Sequence, residues 1–454
     1  MLLLSAALLT PSGAGAQFAA TIERDQENNL QVSWSDPSPN DGYAVFTSPD
    51  LTTGWHYAGD VDQWPSATNS WPVTTPDSSA FFKVQKTDRG HLISAEYLNS
   101  QSAWQVNLAL LLLGVSGISA DYPVDVFKLT YETFDARGQS TIASGAVCIP
   151  NGPATAPLAS YQHGTVYLRS DAPSNSDADE QFLGVVFASL GYIVTMPDYL
   201  GLGPESPALH PYLHARSEAV AAVDLLRAAT EFLDSGSPSP NGQLFLCGYS
   251  QGGHATLALQ RELELNHAAE FPVTASAPMS GPHDLSGTMR EQILSDEPYS
   301  SPGYIAYLLF GYNTVYHLFD SPSEVLRPPY DTTLPPLFDG EHTEAEINAA
   351  MPADPKQIFT PEYLADFTAN SNNPFRLALR ANDTYRWAPG APTQLSHCAA
   401  DTTVPATNSI VALAEMQARG ATQVTLIDPA PTADHAEGAV PSFLAARDWF
   451  ETFR

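Results

Sequence analysis

Ser250 lies at the centre of a Gly-x-Ser-x-Gly pentapeptide, residues 248–252, between an apolar run and a segment of helical character. On a sharp strand-to-helix turn, such a serine presents its hydroxyl as a nucleophile, and the glycines are needed because neighbouring backbone comes close. The N-terminal end of the helix favours the negative charge that develops on a substrate oxygen. A plain Gly/Ser turn would explain the pentapeptide alone, but the flanking strand and helix favour catalysis.

A serine nucleophile needs a base that takes its proton, and the base needs a carboxylate that orients it. On this strand–turn–helix fold the acid follows the serine in the chain and the histidine follows the acid. Asp401 comes just after the predicted strand 393–398, at the strand end where functional side chains of open α/β sheets gather. His435 lies in the loop before the last predicted helix. We therefore predict a triad of Ser250, Asp401 and His435. Asp284 is the second choice for the acid.

A tetrahedral intermediate also needs two main-chain donors for its oxyanion. One is expected to be the N–H of Gln251, which follows the nucleophile. The other is expected from the loop after the predicted strand 157–162. Because main-chain donors leave little trace in side-chain identity, the second donor stays open between Gly164 and Thr165.

The remaining histidines are weaker candidates. His254 comes one helical turn after Ser250 and is expected to make structural hydrogen bonds. No partner is evident for four others, which are expected to be solvated or structurally satisfied: His210, His214, His283 and His397. No spacing of His, Asp or Glu indicates a metal site, and no cofactor is expected.

Alternating strands and helices must position these residues. Besides the run before Ser250, strands are predicted at 124–131, 144–150, 157–162, 191–198, 272–278, 393–398 and 424–428. Helices are predicted at 182–190, 215–233 and 439–453. The first two strands are expected to be antiparallel, and the others to form a mainly parallel sheet with helices on both faces. This pattern predicts the α/β class and an α/β-hydrolase fold.

Two segments interrupt the alternation. Residues 284–389 contain helix-like pieces rich in Pro, Tyr and Phe but no strand run, and their place above the nucleophile predicts a helical lid. Residues 91–122 are predicted to be a helical connector, in which the apolar run 108–115 forms a buried helix.

The N-terminal part of the chain has a different character. Residues 17–90 show short alternating runs separated by turn residues, which predicts a small β-sandwich module. Its tryptophans, Trp55, Trp64 and Trp71, could contact a polymer or glycan, although core packing is the simpler explanation. Residues 1–16 are typical of a signal peptide without a basic start, which predicts a secreted or periplasmic protein.

Composition excludes several partners. A formal net charge of −31 argues against nucleic acid and against an anionic membrane surface. The apolar runs are too short to span a bilayer. The three cysteines, Cys148, Cys247 and Cys398, lack the spacing of a disulfide framework, so buried free thiols are expected.

Five segments, in this order along the chain, resemble the secretory lipase family, the lipase-A-like α/β-hydrolases. They are Tyr-Gln-His-Gly-Thr (161–165), Pro-Asp-Tyr-Leu-Gly-Leu-Gly (197–203), His-Pro-Tyr-Leu (210–213), Gly-Tyr-Ser-Gln-Gly-Gly-His (248–254) and His-Cys-Ala-Ala-Asp-Thr-Thr-Val-Pro (397–405). The resemblance runs from about residue 91 to residue 454. It implies an esterase or lipase with Ser250, Asp401 and His435 as the triad. Residues 17–90 lie outside it and resemble the fibronectin-like modules of secreted bacterial enzymes.

The hypothesis is a carboxylic-ester hydrolase that forms an acyl-enzyme on an ester with an apolar acyl group. A serine peptidase or amidase would use the same triad, and a non-catalytic binding protein would use the β module alone. The acyl chain length and the natural ester stay open, as do the ligand of the module and the oligomeric state.

Overall fold

The computed structural model describes residues 20–24, 30–34, 41–49, 55–58, 70–72, 81–176, 178–203, 208–233 and 238–454. The predicted signal peptide, residues 1–16, and Trp64 lie outside these ranges.

Two small antiparallel sheets form the N-terminal part. Their strands are β1 (Ala20–Arg24), β2 (Leu30–Trp34), β3 (Asp41–Ser48), β4 (His56–Tyr57), β5 (Ser70–Pro72) and β6 (Phe81–Asp88). The sheet orders are β1-β2-β5 and β4-β3-β6. Alternate residues such as Val32, Tyr43 and Phe82 point into a shared core, against which Trp71 packs. The sequence predicted a small β-sandwich here, and the two small antiparallel sheets with a shared core confirm it. The exact bounds of the module stay a prediction.

A nine-stranded mixed sheet organises the rest of the chain. Its strands are β7 (Leu92–Gln101), β8 (Val124–Phe134), β9 (Ser140–Pro150), β10 (Thr155–Gln162), β11 (Ile193–Pro197), β12 (Ser239–Tyr249), β13 (Ala275–Met279), β14 (Thr393–Ser396) and β15 (Val424–Ile427). Their spatial order is β15-β14-β13-β12-β10-β11-β9-β8-β7. Strands β10 to β15 are mutually parallel, and β7, β8 and β9 add an antiparallel extension. The predicted fold class is confirmed.

Helices of the described residues lie on both faces of this sheet and in the insertion after β13. They are α1 (Ala103–Leu112), α2 (Asp179–Ser189), α3 (Ala215–Leu233), α4 (Gln251–Asn266), α5 (Arg290–Leu294), α6 (Gly303–Tyr316), α7 (Tyr330–Thr333), α8 (Glu344–Ala350), α9 (Pro361–Ala369), α10 (Pro374–Ala381), α11 (Thr407–Ala418) and α12 (Ala439–Phe450). Residues of α1, α2 and α12 pack on one face, and residues of α3 and α4 pack on the other. The central strands are therefore buried on both sides, which explains their unbroken apolar runs.

The insertion between β13 and β14 carries helices α5 to α10 and a core of its own. That core is built from aromatic and aliphatic side chains such as Tyr307, Phe310, Tyr312, Phe367 and Phe375. The predicted helical character is confirmed, because the only β pairing in this insertion is one isolated bridge, between Leu326 and Phe359. All three cysteines are buried free thiols, as predicted.

Two predictions between residues 91 and 122 are wrong. Leu92–Gln101 is not helical but forms the edge strand β7, which pairs with β8 over its whole length. The alternation of buried and exposed residues along β7 is hidden by two register shifts and by the exposure of most of its side chains. The local sequence pattern therefore could not reveal a strand. The apolar run 108–115 is not a buried helix, because α1 ends at Leu112 and only Val106 and Leu110 of α1 are buried.

Candidate active site

Ser250 stands on a strained turn between β12 and α4. Its φ of 60° and ψ of −121° lie in a region that side chains rarely adopt, a strain of about 1–3 kcal/mol. A Cβ on Gly248 would lie 2.5 Å from the carbonyl oxygens of both Gln162 and Gly252. A Cβ on Gly252 would overlap the Gln162 carbonyl. The two glycines are therefore required by close backbone contact, as the sequence predicted.

The structure brings Ser250, His435 and Asp401 together in one hydrogen-bonded chain. The Ser250 hydroxyl donates to His435 Nε2 over 2.8 Å, and His435 Nδ1 donates to Asp401 Oδ2 over 2.6 Å. Ser250 follows β12, Asp401 follows β14, and His435 follows β15. Because these strands are parallel, their C-terminal ends meet at one edge of the sheet, which allows residues 185 positions apart to come into contact.

Asp401 lies in a setting that keeps its carboxylate charged. Burial opposes the charge, but hydrogen bonding from His397 and His435 outweighs burial and lowers the pKa of Asp401 to about 2. The main-chain N–H groups of Thr403 and Val404 also donate to Asp401 Oδ1, over 3.0 and 2.8 Å. An ionised Asp401 holds the Nδ1–H tautomer of His435, which leaves Nε2 free to accept the serine proton.

His397 is structurally satisfied, one of the two outcomes that the sequence predicted, but its support of Asp401 was not predicted. Its ring lies 3.5 Å from Asp401 Oδ2, and its Nε2 donates to the carbonyl of Val404 over 2.7 Å. Ser409 donates to its Nδ1 over 2.7 Å. His397 thus braces the turn that presents Asp401. Its position four residues before the predicted acid was the available signal.

Tyr249 supports the histidine from the strand side. Its hydroxyl donates to the main-chain oxygen of His435 over 2.6 Å, and the two rings lie 5.2 Å apart. The residue before Ser250 therefore anchors the loop that carries His435.

The predicted oxyanion donors lie on the expected elements. Gln251 is the first residue of α4, where main-chain N–H groups have no acceptor within the helix. The loop after β10 runs beside the turn, since a Cβ on Gly164 would lie 3.6 Å from the carbonyl of Tyr249. The Thr165 hydroxyl is hydrogen-bonded to Tyr212 over 2.8 Å. The choice between Gly164 and Thr165 stays a prediction.

Asp284, the alternative acid, has a different role in the structure. It accepts hydrogen bonds from the main chain and hydroxyl of Thr288 and from the hydroxyl of Tyr385. These contacts stabilise the start of the insertion rather than His435.

An apolar cleft opens beside Ser250. Val404 and Pro282 lie at its walls. Most of its lining comes from the insertion, including Leu285, Met289, Ile293, Tyr299, Tyr304 and Leu308. This arrangement suits an apolar group held next to the serine hydroxyl.

The described residues contain no cluster of three or more His, Cys, Asp or Glu side chains that could hold a metal ion. Among the helices of these residues, none has the length and apolarity needed to cross a membrane.

The sheet order and the strained serine between β12 and α4 define an α/β-hydrolase. More particularly, the chain belongs to the secretory lipase family, whose profile matches residues 173–452. It is therefore an ester-hydrolysing enzyme of the lipase/esterase class.

Solved structures agree with this assignment. The ligand-bound rice cell wall degrading esterase LipA from Xanthomonas oryzae is 32% identical, with a TM-score of 0.71 over 81% of this chain and 100% of that chain. A protein of known structure from Legionella pneumophila is 29% identical, with a TM-score of 0.74 over 80% of this chain and 98% of that chain. Lipase A from Candida antarctica shares the fold. It is 19% identical, with a TM-score of 0.59 over 81% of this chain and 83% of that chain. No curated protein sequence matches the chain significantly.

Proposed function

We propose that this protein is a secreted carboxylic-ester hydrolase in which Ser250, His435 and Asp401 form the catalytic triad. The observation that carries the proposal is the continuous hydrogen-bonded chain from the serine hydroxyl through the imidazole to the buried carboxylate. Each distance lies in the range that proton transfer between a nucleophile and its base requires.

The reaction follows from this geometry in two halves. Ser250 Oγ bonds to the ester carbonyl carbon while its proton moves to His435 Nε2. The bond from that carbon to the alcohol oxygen then breaks, and His435 returns the proton to the departing alcohol. In the second half, His435 takes a proton from water as the hydroxyl attacks the acyl-enzyme. The acid leaves, and Ser250 recovers its proton.

Two main-chain groups are proposed to hold the negative oxygen of each tetrahedral intermediate. The N–H of Gln251 at the start of α4 is one, and an N–H of Gly164 or Thr165 is the other. Gln251 begins α4, and Gly164 and Thr165 lie in the loop after β10, whose start at His163 is packed against Gly252 of α4, so the proposed donors would be held before substrate arrives.

The cleft supports an acyl group of apolar character. Its walls come mainly from residues 284–389, which we propose to act as a helical lid over the nucleophile. An acyl chain that lies between Leu308 and Met289 would displace water from both of these side chains. Each methylene buried in this way would contribute about 0.8 kcal/mol to binding. The family and the esterase neighbours favour esters over peptides as substrates.

The remaining organisation is also proposed from the sequence. Residues 1–16 would direct secretion or export to the periplasm and be removed. Residues 17–90 would form the β module, and residues 91–454 the hydrolase domain. Contact of the module with a polymer or glycan is a prediction that a pull-down of the protein on insoluble polysaccharide would test.

The proposal is tested with a p-nitrophenyl ester series from acetate to palmitate. Replacement of Ser250 by Ala is expected to lower kcat by about 10⁴-fold or more, because the other groups cannot form the acyl-enzyme. Asp284→Asn, which alters a buried carboxylate away from His435, is the matched control and is expected to keep kcat per folded molecule. Turnover that persists in Ser250→Ala, or a wild-type protein inactive on every ester, would refute the proposal.

A further inference from the structure

A second histidine–carboxylate pair lies beneath the nucleophile and outside the triad. Glu218 of α3 and His254 of α4 have fully buried side chains, and His254 Nδ1 lies 2.8 Å from Glu218 Oε2. On its other side, His254 Nε2 donates to the main-chain oxygen of Asn382 over 2.9 Å. The pair thus joins two core helices to the end of the insertion.

Hydrogen-bond partners hold both members of this pair. The carbonyl of Asn382 only accepts, so His254 Nε2 carries a hydrogen. Burial raises the pKa of Glu218, but hydrogen bonds and charge from His254 and Gln251 outweigh burial and hold that pKa below its ordinary value. Glu218 accepts from Gln251 through Oε1, and its Oε2 lies 2.8 Å from His254 Nδ1. Buried pairs of this kind add little to stability even when charged, because the cost of desolvation offsets the attraction.

The same carboxylate fixes the residue that follows the nucleophile. The side-chain Nε2 of Gln251 donates to Glu218 Oε1 over 2.8 Å and to His210 Nε2 over 2.8 Å. Burial lowers the pKa of His210 to about 4, and its Nδ1 donates to the carbonyl of Leu200 over 2.7 Å. His210 Nε2 is therefore an acceptor, and both amide hydrogens of Gln251 are held.

Asn382 extends this network to the insertion. Its Oδ1 accepts from the main-chain N–H of Ala215 at the start of α3, over 2.8 Å. Its Nδ2 donates to the hydroxyl of Tyr316 at the end of α6, over 2.7 Å. One side chain and one carbonyl therefore tie α3, α4 and the proposed lid together.

We propose that Glu218 and His254 are positioning residues that hold the Gln251 main-chain donor in place through its side chain and clamp the insertion to the nucleophile helix. This inference rests on the proposed function, since Gln251 acts only if an oxyanion forms at Ser250. The network is expected to act in the transition state, when the N–H of Gln251 donates a shorter hydrogen bond to the negative oxygen. Loss of the network should therefore lower kcat rather than raise KM.

The test compares two replacements of Glu218. Glu218→Ala is expected to lower kcat roughly 10- to 100-fold, the cost of a displaced catalytic group, with KM changed by less than about threefold. In Glu218→Gln the amide oxygen can still accept from Gln251, and the amide NH₂ can donate to Nδ1 of a neutral His254. Glu218→Gln restores the hydrogen bonds without the carboxylate charge, so kcat is expected to recover to within about threefold of wild type.

Glu262→Ala is the matched control. Glu262 is a buried carboxylate on α4 that pairs with Arg216 and His267, outside the network. Glu262→Ala is expected to lower the midpoint of thermal unfolding, while kcat per folded molecule stays unchanged. The rate of Ser250 labelling by a p-nitrophenyl alkylphosphonate should fall in Glu218→Ala in parallel with kcat, because the phosphonate forms an anionic oxygen at the same donors.

The inference is overturned if Glu218→Ala loses no more kcat than Glu262→Ala, if its loss lies in KM, or if Glu218→Gln recovers nothing. If Glu218→Ala does not fold, Gln251→Ala decides, because it keeps the Glu218–His254 pair and the main-chain N–H and must still lower kcat. Ser250→Ala runs alongside. Turnover in Ser250→Ala refutes the proposed function, whereas an inactive Ser250→Ala with wild-type kcat in Glu218→Ala refutes only this inference.

Discussion

Replacing Asp401 by Asn separates the role of the acid's charge from its shape. The Asn NH₂ group would donate to His435 Nδ1, so the imidazole would carry its hydrogen on Nε2 and could not accept the proton of Ser250. We expect kcat to fall by about 10⁴-fold with little change in KM, because the lost step is proton transfer and not binding.

The same substitution should lower stability by an amount set by the pKa of Asp401. A shift from the ordinary 3.8 to about 2 in the folded chain corresponds to about 2 kcal/mol in favour of folding at neutral pH. A carboxyl whose pKa is lowered by folding contributes this stability above pH 3.8 and loses it as the pH falls through about 2. The difference between wild type and Asp401→Asn should therefore be largest at pH 7 and small near pH 2.

The assay measures p-nitrophenyl butyrate turnover and urea unfolding over this pH range. Asp428→Asn is the control, because the Asp428 carboxylate accepts from the main-chain N–H groups of Ala399 and Ala430 rather than from His435. It should keep kcat. A kcat for Asp401→Asn within tenfold of wild type, or an equal loss in both variants, would refute the role given to Asp401.

Two further predictions address the turn and the cleft. Gly252→Ala places a methyl group against the Gln162 carbonyl and should destabilise the fold by about 3 kcal/mol in urea unfolding. Gly390→Ala should change little, because its methyl group would lie 3.3 Å from the end of the flexible Glu264 side chain, which can move aside. Equal midpoints would contradict the close contact. Leu308→Trp should abolish hydrolysis of long acyl esters and spare acetate, while Trp at the exposed Ile410 should leave the chain-length profile unchanged. An unchanged profile for Leu308→Trp would remove the cleft as the acyl site.

The edge of the sheet shows the limit of local pattern. The alternation of β8 predicted a strand, but nothing within that strand indicated that a further strand covered its outer edge. Strand β7 pairs with it at a distance of only about thirty residues along the chain, yet its own exposed residues and register shifts hide the alternation. The apolar residues of α1, such as Leu111 at 74% and Leu112 at 78% exposure, likewise gave a false sign of burial.

By itself, the sequence determined the α/β class, the strand–turn–helix around Ser250 and the candidates Asp401 and His435. These features are local: a turn needs glycines, and parallel strands leave functional residues at their C-terminal ends. Only the tertiary structure decided which polar groups meet. The contacts of His397 with Asp401, and of Glu218 with both Gln251 and His254, depend on strand order and helix packing. Strand order and helix packing depend in turn on the burial of apolar residues that are far apart in the sequence, which no short stretch of residues encodes.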